Sequence, residues 1–175
     1  IEVRPSEVVG CLGREGAGKT VTFYSILGLL RVNSGHIFLD GDDITGLSLD
    51  RRSLRGLGYL PQESSIFRGL TVEQNIMAVL EMVEPDSQVR HETVDRLLDE
   101  FGLMKLRGSP AMALSGGERR RCEIARALAA SPSIVLLDEP FAGLDPPSIA
   151  DIPDLGCQLR GPGIRVFITH HHVRA

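Results

Sequence analysis

The sequence predicts an α/β domain, a parallel sheet interrupted by a helical insertion, and three observations predict it. Glu7 to Leu12 is an apolar run that passes through a glycine-rich turn into a helical-looking segment from Lys19 to Leu30, the order strand, loop, helix. Ile134 to Leu137 is a continuous apolar run, as expected of a strand covered on both faces, and Arg165 to Thr169 is a second. From Thr71 onward, ahead of these two runs, the apolar spacing takes the period of a helix.

The remaining elements follow from local signals. Ser34-Gly35 punctuates the chain, and His36 to Leu39 alternates into an Asp40-Gly41 turn, which suggests a short antiparallel piece. Gly58 to Leu60 reads as a brief strand ending at Pro61-Gln62. Thr71 and Gln74 fit a capping box, in which each side chain satisfies the other residue's free backbone N–H, so a helix starts there. Val94, Leu97, Leu98 and Phe101 stand at i, i+3, i+4 and i+7 on a second helix that Gly102 interrupts. A third helix runs from Ser115 to about Ala130, and Pro132 stops it. The expected organisation is one domain over 1–175: a core over 1–62, a helical part over 63–113, and over 114–175 a helix followed by two core strands.

Composition narrows the function classes. The chain has 175 residues, 42% hydrophobic and 24% charged, which excludes a disordered or collagen-like chain. No apolar stretch approaches the roughly 18 residues of a membrane-spanning helix, so no direct membrane insertion is expected. A net charge of −4 supplies no overall positive field, and nucleic acid is not an expected partner. Arg119, Arg120 and Arg121 point about 100° apart on a helix and form no stripe, so they are expected on a solvated face with local contacts. Cys11, Cys122 and Cys157 lie far apart among apolar residues and read as reduced core cysteines of a cytosolic protein. Met77, Met82, Met104 and Met112 read as filling of the core or of a partner groove.

Three motifs carry chemistry. Gly13-Arg14-Glu15-Gly16-Ala17-Gly18-Lys19-Thr20 satisfies G-x-x-x-x-G-K-[ST] between a strand and a helix, the context of a P-loop. Its glycines let backbone N–H groups converge on phosphate oxygens, Lys19 adds a mobile cation and Thr20 an oxygen for Mg2+. Asp138 and Glu139 end the apolar run from Ile134, where ligands of open α/β sheets bind. Asp138 fits the metal-associated acid that accompanies a P-loop, and Glu139 could polarise a water for attack on a γ-phosphate. Leu114-Ser115-Gly116-Gly117-Glu118 contains an S-x-x-E capping box, but its glycines cost roughly 1 kcal/mol each in a helix and call for a ligand or backbone that needs a bare surface.

In order, the P-loop, Gln62 after a strand, Leu-Ser-Gly-Gly-Glu, Asp138-Glu139 and Asp145 resemble the motifs of ABC-type ATPases. The wording of residues 59–68, 117–121 and 138–146 is similar to the ATP-binding subunits of lipopolysaccharide exporters. The resemblance covers nearly the whole chain. It implies a P-loop NTPase core of ABC type with a helical subdomain, cut short at both ends relative to the family. It also implies ATP and Mg2+ as ligands, and a homodimer closed head to tail around two ATP molecules. Gly13, Gly16, Ala17, Gly18, Lys19 and Thr20 would hold phosphates and metal. Ser115, Gly116 and Gly117 would reach the γ-phosphate across the dimer, and Asp145 would lie in the loop joining the two sites. Glu139 would be the catalytic base and Asp138 a metal residue. Gln62 would sense metal and attacking water.

Counting forward from Asp145 in register with the family puts the switch histidine at His171, with His170 as runner-up. A transmembrane permease would dock near residues 63–85, so the chain is expected at the cytoplasmic face of the inner membrane. The alternatives are an importer ATPase of the branched-chain amino acid kind, a soluble DNA-repair or translation ATPase, and a non-catalytic nucleotide-binding fragment. Arg14 and Glu15 stand where the family usually carries proline and asparagine or serine, so weakened nucleotide binding is expected. Pro153 and Gly156 predict a kinked or shortened last helix.

Overall fold

The structure, a computed structural model, describes residues 1–14, 16–146, 149 and 163–170. Strands β1 (Val8–Leu12), β4 (Leu57–Leu60), β5 (Ile134–Asp138) and β6 (Arg165–His170) form one sheet in the order β1-β6-β5-β4, parallel throughout. Strands β2 (Phe38–Leu39) and β3 (Asp42–Asp43) form the short antiparallel pair, turned by Asp40 and Gly41. The helices are α1 (Lys19–Leu27), α2 (Leu49–Ser53), α3 (Val72–Val83), α4 (Ser87–Glu100) and α5 (Gly116–Ala129). Two single 3-10 turns, Met104–Leu106 and Ala111–Ala113, connect α4 to α5. No helix among the described residues is long and apolar enough to cross a membrane.

Strand β5 shows why the sheet needs two layers. Its side chains alternate, so Ile134 and Leu136 serve one face while Val135 and Leu137 serve the other. On the first face Leu136 and Phe167 pack with Phe23 and Leu27 of α1 and with Leu39 and Ile44. On the second, Val135, Leu137 and Val166 meet the larger cluster contributed by α3, α4 and α5, including Ile76, Leu97, Leu98 and Ile124. A strand buried on both sides must be apolar at consecutive positions, which is why residues 134–137 carry no polar side chain.

Both expected capping boxes form. Thr71 Oγ1 accepts from Gln74 N while Gln74 Oε1 accepts from Thr71 N, at 3.2 and 2.9 Å. Ser115 Oγ accepts from Glu118 N while Glu118 Oε2 accepts from Ser115 N, at 3.3 and 2.8 Å.

Three expectations need correction. Helix α1 stops at Leu27 rather than Leu30, because Gly28 adopts φ 78 and a side chain there would collide with Leu47 O and the Arg52 guanidinium. The arginine run is no solvated face: Arg119 and Arg121 are half-buried and Arg120 is buried. Angular spacing fixes where a helical residue points, not what covers it. Met77 packs on the core, whereas Met82, Met104 and Met112 are exposed and fill no core. Cys122 is buried and its thiol is pushed up to about 12 by burial, and Cys11 is half-buried. Cys157, and Pro153 and Gly156 in the expected last helix, lie outside the described residues.

Candidate functional site

A parallel sheet puts every strand's carboxyl end on one edge. In register, Leu12 pairs with His170, Thr169 with Asp138, and Leu137 with Leu60. The loops that follow β1, β5 and β4 therefore emerge on the same edge, with β6 between β1 and β5, and they carry the P-loop, Glu139 and Gln62 in that order.

The P-loop leads into α1 through two left-handed glycines, Gly16 at φ 78 and Gly18 at φ 87. Gly13 is fixed by crowding, since a Cβ there would sit 3.0 Å from Ala17 Cβ. Gly18 is the N-cap and supplies no side-chain cap. The first-turn N–H groups of α1 lack intrahelical partners by helix geometry, and with the helix dipole they favour an anion. Lys19 is buried, and its Nζ donates to Gly13 O at 2.6 Å and to Arg14 O at 3.1 Å. Two of its three N–H groups hold the loop, and the ammonium charge stays at the anion site. Gly16, Ala17 and Thr20 are exposed around it.

Asp138 and Glu139 are buried, and Thr169 joins them. The Thr169 hydroxyl donates to Asp138 Oδ1 at 2.6 Å and accepts from Glu139 N at 2.9 Å. Glu139 holds φ 42, a left-handed conformation rare for a residue with a Cβ. On the neighbouring strand, burial pushes the Tyr59 phenol up to about 12, and the Asp138 carboxylate adds to the shift.

Gln62 is exposed just beyond β4, and its loop is fastened by buried groups of α5. Arg120 donates through Nη1 to Pro61 O at 3.0 Å and through Nε to Pro140 O at 2.7 Å. It therefore bridges the residue before Gln62 to the residue after Glu139. Arg120 also pairs with Glu123 Oε2 at 3.0 Å. Glu123 Oε1 accepts from Ser64 Oγ, Ser65 N and Ile66 N at 2.7, 2.9 and 3.1 Å. Burial pulls the Arg120 guanidinium below the ordinary arginine range, opposed by Glu123 and then by Asp138.

Ser115, Gly116 and Gly117 open α5 about one helical turn beyond Arg120. A Cβ on Gly116 would stand 3.6 Å from Leu144 Cδ2, which places exposed Asp145 beside this end of the helix. These residues make a second locus. His170 ends β6 opposite Leu12, while His171 and Glu15 lie outside the described residues.

Thr169 and Glu123 stand in no motif, and Arg120 lies in the run 117–121 with no role assigned to it. Apart from the Arg120–Glu123 pair, their partners stand 20 to 59 positions away, and the one available signal was a polar residue closing an apolar strand.

The sequence pattern of the family described as ABC transporter matches residues 1–142 of the chain. The chain belongs to the ABC transporter family. It is 56% identical over 174 residues to a "Probable ABC transporter ATP-binding protein" of Azorhizobium caulinodans, covering 99% of this chain and 62% of that protein. It is 54% identical over 175 residues to the "Lipopolysaccharide export system ATP-binding protein LptB" of Haemophilus influenzae, covering 99% of this chain and 73% of that protein. The chain thus spans between about three-fifths and three-quarters of the length of these relatives. Among solved structures it resembles the ADP conformation of MJ1267, an ATP-binding cassette of an ABC transporter. That likeness has a TM-score of 0.84 at 26% identity, over 99% of this chain and 74% of the other.

The donors at the carboxyl edge also suit Mg2+. Thr20, Asp138 and Gln62 offer oxygen ligands, the type a hard cation prefers. No cluster of three or more His, Cys, Asp or Glu residues forms among the described residues, and Mg2+ bound with phosphate and water needs none.

Proposed function

We propose that this ABC family chain binds and hydrolyses ATP with Mg2+ and powers lipopolysaccharide export through a separate transmembrane partner. The observation that carries the ATPase reading is the alignment along one sheet edge of the P-loop, the Asp138-Glu139 pair and the Gln62 loop, the last two joined by Arg120. The similarity to the Haemophilus protein supports lipopolysaccharide as cargo.

In this reading Gly13, Gly16, Ala17, Gly18 and Lys19 bind the phosphates, and Thr20, Asp138 and Gln62 hold the metal. Mg2+ neutralises charge on the phosphate oxygens when bound. Glu139 acts as general base toward the attacking water, and a histidine just after β6, His171 or His170, serves as the switch. Ser115 to Gly117 and Asp145 form a locus of their own beside the α5 N-terminus, which suits a head-to-tail homodimer in which they complete the partner's site. The permease docks on residues 63–85, where Phe67 and Val79 border a cavity of about 320 Å3 and Met82 is exposed. The assembly lies on the cytoplasmic face of the inner membrane.

The test is ATP hydrolysis at several protein concentrations, with Glu139→Gln alongside. Mg2+-dependent turnover should rise faster than linearly with concentration and fall at least a hundredfold in the variant, on the order expected for loss of a general base. Turnover that is linear in concentration would remove the dimer from the reading. Equal turnover in Glu139→Gln would remove Glu139 as the base.

A further inference from the structure

We propose that Thr169 is a positioning residue for the Asp138-Glu139 pair, setting the carboxylate of the first and the backbone of the second through one hydroxyl. The inference rests on the ATPase reading above, in which those two residues act on metal and water.

A threonine hydroxyl has one proton to donate and lone pairs to accept with. Here the Glu139 N–H occupies an accepting direction at 2.9 Å, so the proton is directed to Asp138 Oδ1 at 2.6 Å. Thr169 is wholly buried, and no solvent competes for either bond. Parallel register places it directly beside Asp138, so both contacts follow from the pairing of β5 with β6.

Two consequences follow for the site. Asp138 Oδ1 is committed to Thr169 as an acceptor, which leaves Oδ2 as the oxygen that would face a metal. The Glu139 amide is pinned while its φ stands at 42, so the bond supports a backbone turn that a residue with a Cβ adopts reluctantly. That turn aims the Glu139 side chain.

The experiment compares Thr169→Val, which keeps the shape and removes the hydroxyl, with Thr169→Ser, which restores it. In wild type without nucleotide, hydrogen exchange at the Glu139 amide should be slow. Thr169→Val should accelerate it at least tenfold and Thr169→Ser should recover most of the protection. In hydrolysis, Thr169→Val should lower kcat at least tenfold with the ATP KM changed less than threefold, again recovered largely by serine. A general loss of packing would not be rescued by serine, which fills less space than valine.

Should Thr169→Val fail to fold, Thr169→Cys supplies the weak donor and acceptor, and both quantities should fall in the order Thr, Ser, Cys. Unchanged exchange at Glu139 in folded Thr169→Val, or serine no better than valine, overturns the proposal. Wild type that exchanges as expected but hydrolyses nothing would instead sink the ATPase reading and leave the hydroxyl contacts standing.

Discussion

Helices α1 and α5 both begin at glycines, yet they are held in opposite ways. At its N-terminus α1 has Gly18, no side-chain cap and a buried lysine, so its donors are open to an anion. Its other end is stapled by Arg52, which donates to the carbonyls of Ser25 and Ile26 in the last turn and to those of Thr45 and Leu47. No carboxylate is among these partners. The negative end of the helix dipole and four carbonyl oxygens take its place around a buried guanidinium. Helix α5 is capped by its own Ser115 and Glu118, and its buried arginine, Arg120, lies near its start and reaches outward to Pro61 and Pro140. One arginine fixes a helix to its neighbours. The other fixes the loops of the site to a helix, tying the first turns of α5 to the residues that flank Gln62 and Glu139.

Replacing each arginine by alanine tests that division and should give the largest effects. Arg120→Ala leaves Glu123 buried without its cation and should cost about 3–5 kcal/mol in urea unfolding. It should also lower kcat of the folded fraction at least tenfold, because Pro61 and Pro140 lose their common donor. Arg52→Ala strands four carbonyls and should cost about 2–3 kcal/mol, with kcat of the folded fraction reduced far less. If the two variants lose kcat alike, the distinction between the two arginines is wrong.

A smaller effect separates the capped helices themselves. Thr71→Ala and Ser115→Ala each remove one capping hydroxyl, and each should cost about 1 kcal/mol. Only Ser115→Ala should raise the ATP concentration needed for half-maximal hydrolysis, since only α5 is proposed to meet nucleotide across a dimer. Steady-state kinetics on the two variants checks this, and equal half-saturation values would argue against that contact.

How far the sequence could be read follows from the range of each interaction. The capping boxes join residues three apart, and both were legible to the residue. The strands were legible because burial on two faces leaves an apolar run with no alternation, as at Ile134 to Leu137. The edge on which Lys19, Asp138 and Gln62 gather follows from a parallel sheet once its strands are known. Arg52 was not legible, because its partners are backbone carbonyls, which every residue has. Nor were Arg120, Glu123 and Thr169, whose partners are set by strand order and helix packing. Read by helix angle alone, residues 119–121 looked like three solvent-facing cations. The fold turns the middle one inward.

Acid should expose the last difference between the capped helices. The box on α3 closes with neutral Gln74 and has no titrating member. The box on α5 closes with Glu118, whose carboxyl is held below the usual glutamate range chiefly by the Ser115 backbone N–H and then by its hydroxyl. A carboxyl with a lowered folded pKa contributes stability that is complete above the unfolded value of about 4.3 and is lost as pH falls through the folded one. The cost of Glu118→Gln should therefore be level near pH 6, begin to shrink as pH falls below about 4.3, and vanish only once pH is below the lowered folded value, where the wild-type glutamate is itself protonated. The cost of Thr71→Ala should stay level across the same range. Urea unfolding of the three proteins between pH 6 and pH 3.5 separates the two helices, and a Glu118→Gln cost that does not vary with pH would mean that the carboxylate charge contributes nothing to the α5 cap.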